Sequence, residues 1–218
     1  MKNYILFSNV FYLYKLSMQE LDYQTIISYL NSDYSLIFPT ETVYGLWCNA
    51  TSDRAVQNLL ELTFRPQEKG ITTLCNSIEM IETYATIRFE SEKKIIQKFM
   101  PWPLTIILDS KHVLSPLLEQ SNGTIGVRIP DHDIALSIIR HYGHGLATKS
   151  ANITGWIPPI STDMIDPYFI ENEIMIIDGW VCPLRIASTI VRCSSDTEFE
   201  ILRQGSITEG EIRACLYS

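Results

Sequence analysis

Nowhere in these 218 residues is there a run of about 20 consecutive apolar residues, the length a membrane-spanning helix needs, so no membrane association is expected. Clustered basic charge is also missing. The longest basic run is Lys93-Lys94, and 17 Lys and Arg stand against 25 Asp and Glu, for a formal net charge of −8. Sequence-independent nucleic-acid binding works by neutralising phosphates, so direct polynucleotide binding is expected to be weak or absent. The five cysteines (Cys48, Cys75, Cys182, Cys193, Cys215) are odd in number, widely spaced and without a C-x-x-C pair. Neither a disulfide framework nor a zinc site is expected, and reduced core thiols in a cytoplasmic protein are. The histidines (His112, His132, His141, His144) make no H-E-x-x-H pattern, and G-x-x-x-x-G-K-[ST] is absent, so the chain has no Walker loop.

What is present is enough apolar material for one sizeable core: 46% of residues are hydrophobic and 19% charged. Residues 1–17 differ from the rest, with a Lys near each end, an apolar and aromatic middle, and no small-residue cleavage site. They read as a loosely attached extension, or as sequence upstream of a start at Met18, leaving 18–218 as the domain. Leu21, Ile26, Ile27 and Leu30 form a helical stripe, and Ser35 to Phe38 a buried strand closed by Pro39. Ser52 is positioned to cap a helix through Leu62, and Asp131 one carrying Ile134, Ile138 and Ile139. A helix with Ile95, Ile96 and Phe99 should end before Pro101. Ile71 to Cys75, Leu104 to Leu108, Thr124 to Ile129, Leu146 to Thr148, Glu173 to Ile177 and Ser188 to Arg192 read as strands, and Thr208-x-x-Glu211 as a capping box. Helices and strands mix without a strict βαβ rhythm. The expected class is α/β, a single domain with a twisted mixed sheet flanked by helices.

Three polar segments fall at strand ends or tight turns, where α/β folds gather ligand groups. Pro39-Thr40-Glu41-Thr42-Val43-Tyr44-Gly45 reads either as a capped turn or as a set of ligand donors. In Thr63-Phe64-Arg65-Pro66-Gln67-Glu68-Lys69-Gly70, Arg65 either complements a helix C-terminus or presents a guanidinium fork to an anion. Lys149-Ser150-Ala151-Asn152-Ile153-Thr154-Gly155 offers an ammonium, hydroxyls and an amide at a corner that can cradle an anion.

P-T-E-T-V-Y-G-L, R-P-x-x-K-G and S-A-N-x-[ST]-G occur here in the order and spacing seen in the YrdC-like family. Pro101 to Thr105, Gly126 to His132, Ser188 to Val191 and Arg203 to Gly205 add to the likeness. From about residue 20 to 210 the chain resembles a single-domain YrdC-like threonylcarbamoyl-AMP synthase, with the DHBP synthase-like fold and its concave cleft. The resemblance implies a nucleotidyltransferase. It would turn L-threonine, bicarbonate or CO2, and ATP into threonylcarbamoyl-AMP and pyrophosphate, with Mg2+ on the phosphates. A downstream threonylcarbamoyl-transferase complex would then modify tRNA to threonylcarbamoyladenosine. By the same resemblance Thr40, Arg128 and Ser188 hold threonine, and Arg65, Thr105, Ser150, Asn152 and Arg203 surround the nucleotide. Thr63 and Lys149 are placed there by position alone.

Three residues depart from the family pattern. Thr63 replaces a lysine of Lys-x-Arg, Trp102 a glycine between two prolines, and Lys149 a threonine before S-A-N. Loss of one charge-stabilising donor in a closed site costs roughly 10²- to 10³-fold in rate. Either Lys149 restores the charge missing at Thr63, or the chain is a catalytically decayed relative that keeps nucleotide or RNA binding. Trp102 would then crowd the nucleotide or stack on its base.

Overall fold

The structure is a computed structural model. It describes residues 22–66, 70–172 and 174–217, together with the backbone of Leu6–Phe7 and Val10–Leu13. Gln67, Glu68 and Lys69 of the expected turn, Leu21 of the helical stripe, Glu173 and Met18 lie outside the described residues.

In chain order the strands are β1 (Leu6–Phe7), β2 (Val10–Leu13), β3 (Leu36–Pro39), β4 (Tyr44–Asn49), β5 (Thr72–Leu74), β6 (Ala85–Thr86), β7 (Leu104–Ser110), β8 (Thr124–Arg128), β9 (Leu146–Ser150), β10 (Met175–Ile177), β11 (Thr189–Cys193) and β12 (Phe199–Arg203). The helices are α1 (Tyr23–Asn31), α2 (Asp53–Leu62), α3 (Ile78–Tyr84), α4 (Glu90–Phe99), α5 (Asp133–Tyr142), α6 (Pro167–Glu171) and α7 (Glu209–Leu216). The strands form one mixed sheet in the order β1-β2-β10-β3-β4-β9-β5-β8-β7-β11-β12, with β6 paired to β7. Parallel and antiparallel neighbours alternate irregularly, as the missing βαβ rhythm implies.

Two hydrophobic clusters cover the sheet. In the larger, Leu46 and Cys48 of β4 pack with Ala55, Val56 and Leu59 of α2, and with Ile106 and Val127 of the central strands. In the smaller, Ile26 and Leu30 of α1 meet Ile138 and Ile139 of α5 over Phe38 and Trp47. The expected caps hold at Ser52, which accepts from the Ala55 N–H, and at Thr208, which forms the capping box with Glu211. The cap of α5 is not Asp131 but His132, whose ring Nδ1 accepts from the Ala135 N–H. Burial pulls the His132 imidazole below its usual value, which keeps that nitrogen an acceptor.

The main unexpected element is β4. Its residues Tyr44 to Cys48 are all buried, so the alternation that marks a half-buried strand is absent. Strand β9 runs on through Lys149 and Ser150, which places both residues on the sheet instead of in a loop. Among the described residues no helix is long and apolar enough to cross a membrane, and all five cysteines are free.

Candidate active site

Strand register gathers the polar residues on one face. Gly45 and Trp47 of β4 stand opposite Ser150 and Thr148 of β9, and Thr148 opposite Thr72 of β5. Leu74 lies beside Arg128 of β8, Thr105 of β7 beside Ile190 of β11, and Ile190 beside Arg203 of β12. Side chains two apart along a strand share a face, and here they floor a cleft of about 750 Å³ including its open mouth. Thr40, Arg65, Lys149 and Ser188 complete its walls, with Pro158 and Ala187 at the rim. Gly45 is required by close approach: a Cβ there would lie 2.7 Å from Trp47 Nε1 and 2.8 Å from Thr148 Oγ1.

The turn from β3 to β4 is tied by its own hydroxyls. The Thr40 hydroxyl donates to the Val43 carbonyl at 3.0 Å, and the Thr42 hydroxyl, 2.6 Å away, can then donate to Thr40 Oγ1. Arg128 Nη1 donates to Thr42 Oγ1 at 3.2 Å, and Nη2 forms an ion pair with Glu41 Oε1. Both charged side chains are about 7% exposed. Glu41 Oε2 and Arg128 Nε are buried without a hydrogen-bond partner.

The facing corner is built from β9 and the end of α2. Arg65 follows Phe64, which turns the chain at φ 47°, and its Nη2 donates to the Gly70 carbonyl at 2.6 Å. Lys149 Nζ donates to the carbonyls of Ser150 at 3.2 Å and Asn152 at 2.5 Å. On the third side Thr105 Oγ1 lies 2.8 Å from Ser188 Oγ, and Arg203 grips Ser188 through Nε to its carbonyl and Nη2 to its hydroxyl, each at 3.0 Å. Gly205 follows because a Cβ there would come within 2.4 Å of the Ala187 carbonyl and the Thr189 nitrogen.

Four cations thus line one cleft of an acidic chain: Arg65, Arg128, Lys149 and Arg203. Burial, followed by the neighbouring Arg128 and Arg65, lowers Arg203 to about 10, and burial followed by Arg65 lowers Lys149 to about 8. Burial also lowers Arg65. Desolvated positive charge is stabilised by anions; Glu41 already meets Arg128, and the cleft as a whole is suited to an anionic ligand.

Of the ten expected site residues, eight line the cleft: Thr40, Arg65, Thr105, Arg128, Lys149, Ser150, Ser188 and Arg203. Thr63 does not. It is fully buried, and its hydroxyl donates back to the Leu59 carbonyl of its own helix. Asn152 stands behind the wall, its amide nitrogen donating to the carbonyls of Ile153 and Trp156, each at 2.8 Å. Its Oδ1 is buried and unpartnered. Trp102 is half exposed and is not among the lining residues. Glu41, Thr42, Thr72 and Thr148 were missing from the expected set. Thr148 carries a signal in the sequence, as a polar residue two positions from Ser150 on the same strand.

The family model described as "Telomere recombination", for Sua5, YciO and YrdC, matches residues 28–205. This chain belongs to the Sua5/YciO/YrdC family. Among curated members, the threonylcarbamoyl-AMP synthase of Bacillus subtilis is 33% identical over 189 residues, covering 86% of this chain and 54% of its own length. The namesake from Photobacterium profundum is 30% identical, covering 84% of this chain and 98% of its own. The crystal structure of Pyrococcus abyssi Sua5 complexed with L-threonine superposes with a TM-score of 0.85 at 28% identity, covering 92% of this chain and 58% of that one. The chain therefore spans about half the length of the first curated relatives it matches.

Proposed function

We propose that this family member is a threonylcarbamoyl-AMP synthase, taking L-threonine, bicarbonate or CO2, and ATP to threonylcarbamoyl-AMP and pyrophosphate. The observation that carries the reading is the convergence of Arg65, Arg128, Lys149 and Arg203 on one cleft, in a chain whose relatives bear that name. The threonine amine captures CO2 as a carbamate, and a carbamate oxygen attacks the α-phosphorus. A new P–O bond forms, the bond to the β-phosphate oxygen breaks, and pyrophosphate leaves with the electron pair.

No protein nucleophile takes part. The residues align two anions and compensate charge that spreads over phosphoryl oxygens. Arg128 and Thr40, fixed by Glu41 and Thr42, would hold the threonine carboxylate and hydroxyl beside Ser188. Arg65, Lys149, Ser150 and Arg203 would face the triphosphate, with Thr105 and Arg203 setting the Ser188 hydroxyl between the two substrates. Asn152 would shape the corner from behind. Among the described residues no group of three or more His, Cys, Asp or Glu could hold a metal. Mg2+ would therefore enter as part of the nucleotide substrate, held by phosphate oxygens and water. The product would pass to a transferase complex acting on tRNA.

Mass-spectrometric detection of the mixed anhydride from ATP, threonine and bicarbonate tests the reading, with pyrophosphate release expected only when threonine is present. Release independent of threonine, or none with all three substrates, would reject it.

A further inference from the structure

We propose that Lys149 supplies the phosphate-anchoring ammonium of this cleft, delivered along β9. This rests on the nucleotide reading of the cleft and adds to it the source of one positive charge. Register places Lys149 opposite Leu46 of β4, on the face covered by α2, while its neighbours Thr148 and Ser150 point into the cleft. The side chain therefore starts on the helix side of the sheet and passes beneath the corner, where its Nζ reaches the Ser150 and Asn152 carbonyls. Two of its three hydrogens are used there, and among the described residues the third has no acceptor.

Position 63 approaches the same corner from the same side. The Thr63 carbonyl accepts both the N–H of Thr154, at 2.9 Å, and its hydroxyl, at 2.8 Å. The loop from Ser150 to Thr154 thus begins at Lys149 and ends against Thr63, so the two positions flank one small structure. Thr63 brings no charge to it, since its hydroxyl is engaged with Leu59. Lys149 brings a charge: among the described residues no ion pair includes it, and the one buried carboxylate of the facing corner, Glu41, is engaged by Arg128. Among the described residues, the charged groups lining the cleft with it are Arg65 from the end of α2, which acts on it directly, and Arg203 and Arg128 from β12 and β8.

This placement has a consequence that a purely structural clamp on two carbonyls would lack. With the empty-cleft ammonium at about 8, a polyphosphate beside it draws the value upward, so binding near pH 8 takes up about half a proton. The protonated form is the useful one, so kcat/KM for ATP should fall as the pH rises past 8.

The test is calorimetric titration of ATP into the full chain at pH 8, in two buffers of different ionisation enthalpy, for wild type, Lys149→Met and Lys149→Arg. Wild type should take up about half a proton. Both variants should take up almost none, and Lys149→Met should bind ATP about 10- to 100-fold more weakly. In threonine-dependent pyrophosphate release, Lys149→Arg should move the alkaline limb upward. Lys149→Thr should lose the activity, and adding Thr63→Lys should restore part of it. Equal proton uptake in wild type and Lys149→Arg, which keeps the charge and the long stem, would overturn the proposal even if Lys149→Met fails to fold. Unchanged release in Lys149→Thr would overturn it too. A wild type that binds ATP with proton uptake yet forms no mixed anhydride would remove the proposed enzymatic function and leave the charge placement standing. A wild type that binds no ATP would remove both.

Discussion

Two corners face each other across the cleft and solve the same problem in opposite ways. At the P-T-E-T turn, positive charge is neutralised within the fold: Arg128 meets Glu41, and the hydroxyls of Thr42 and Thr40 pass the hydrogen bonds on to a carbonyl. At the S-A-N corner, among the described residues, Lys149 is held by carbonyl dipoles, and Arg65 places a like charge near it. The first corner holds its charge in an ion pair of its own, whereas among the described residues Lys149 is in none. Substitution should therefore cost stability as well as activity at the first corner, and mainly activity at the second.

The largest effect is expected from Glu41→Ala. Removing one partner of a buried ion pair leaves an uncompensated guanidinium, at about 3–5 kcal/mol. Chemical denaturation should show the midpoint falling by that amount with an unchanged slope, and a loss under 1 kcal/mol would break the contrast. Next comes Arg65→Ala, expected to lower pyrophosphate release roughly 10²- to 10³-fold. Its unfolding midpoint should move far less than that of Glu41→Ala. A stability loss as large as that of Glu41→Ala would mean that both corners are structural.

The smallest effect sharpens the comparison by pH. His132 caps α5 close to Glu41 and Arg128, and burial holds its imidazole below the usual value. A histidine depressed in the folded state stabilises the protein above its unfolded value and loses that contribution as the pH falls below about 6.5. His132→Asn supplies a capping oxygen in place of the ring nitrogen and removes the titration. It should flatten the acid side of the stability curve. An acid limb identical to that of wild type would assign the loss to other groups.

Much of this contrast is legible in the sequence, and its limits have physical causes. Arg65, Arg128, Ser150 and Arg203 fall in intact motifs at strand or helix ends, and the fold delivers each of them to the cleft. Thr63 does not arrive, because a threonine in the last turn of a helix satisfies its hydroxyl on the preceding turn. Sequence spacing cannot see that choice. Lys149 is legible by type but not by route: a period-two reading sends it to the helix side, and only the length of its side chain returns the ammonium to the cleft. Strand β4 was hidden because a strand covered on both faces shows no alternation. The Asp131 cap was misplaced by one residue because an imidazole nitrogen took the role usually given to a carboxylate.

The cross-strand row Thr105, Ile190 and Arg203 ends on β12, at one margin of the sheet. Thr40 lies at the far end of β3, on the opposite flank. A molecule spanning the cleft would fasten segments from the opening and the close of the domain to one another. Occupancy would then act as a temporary cross-link from β3 to β12, firming a strand that among the described residues pairs with β11 alone.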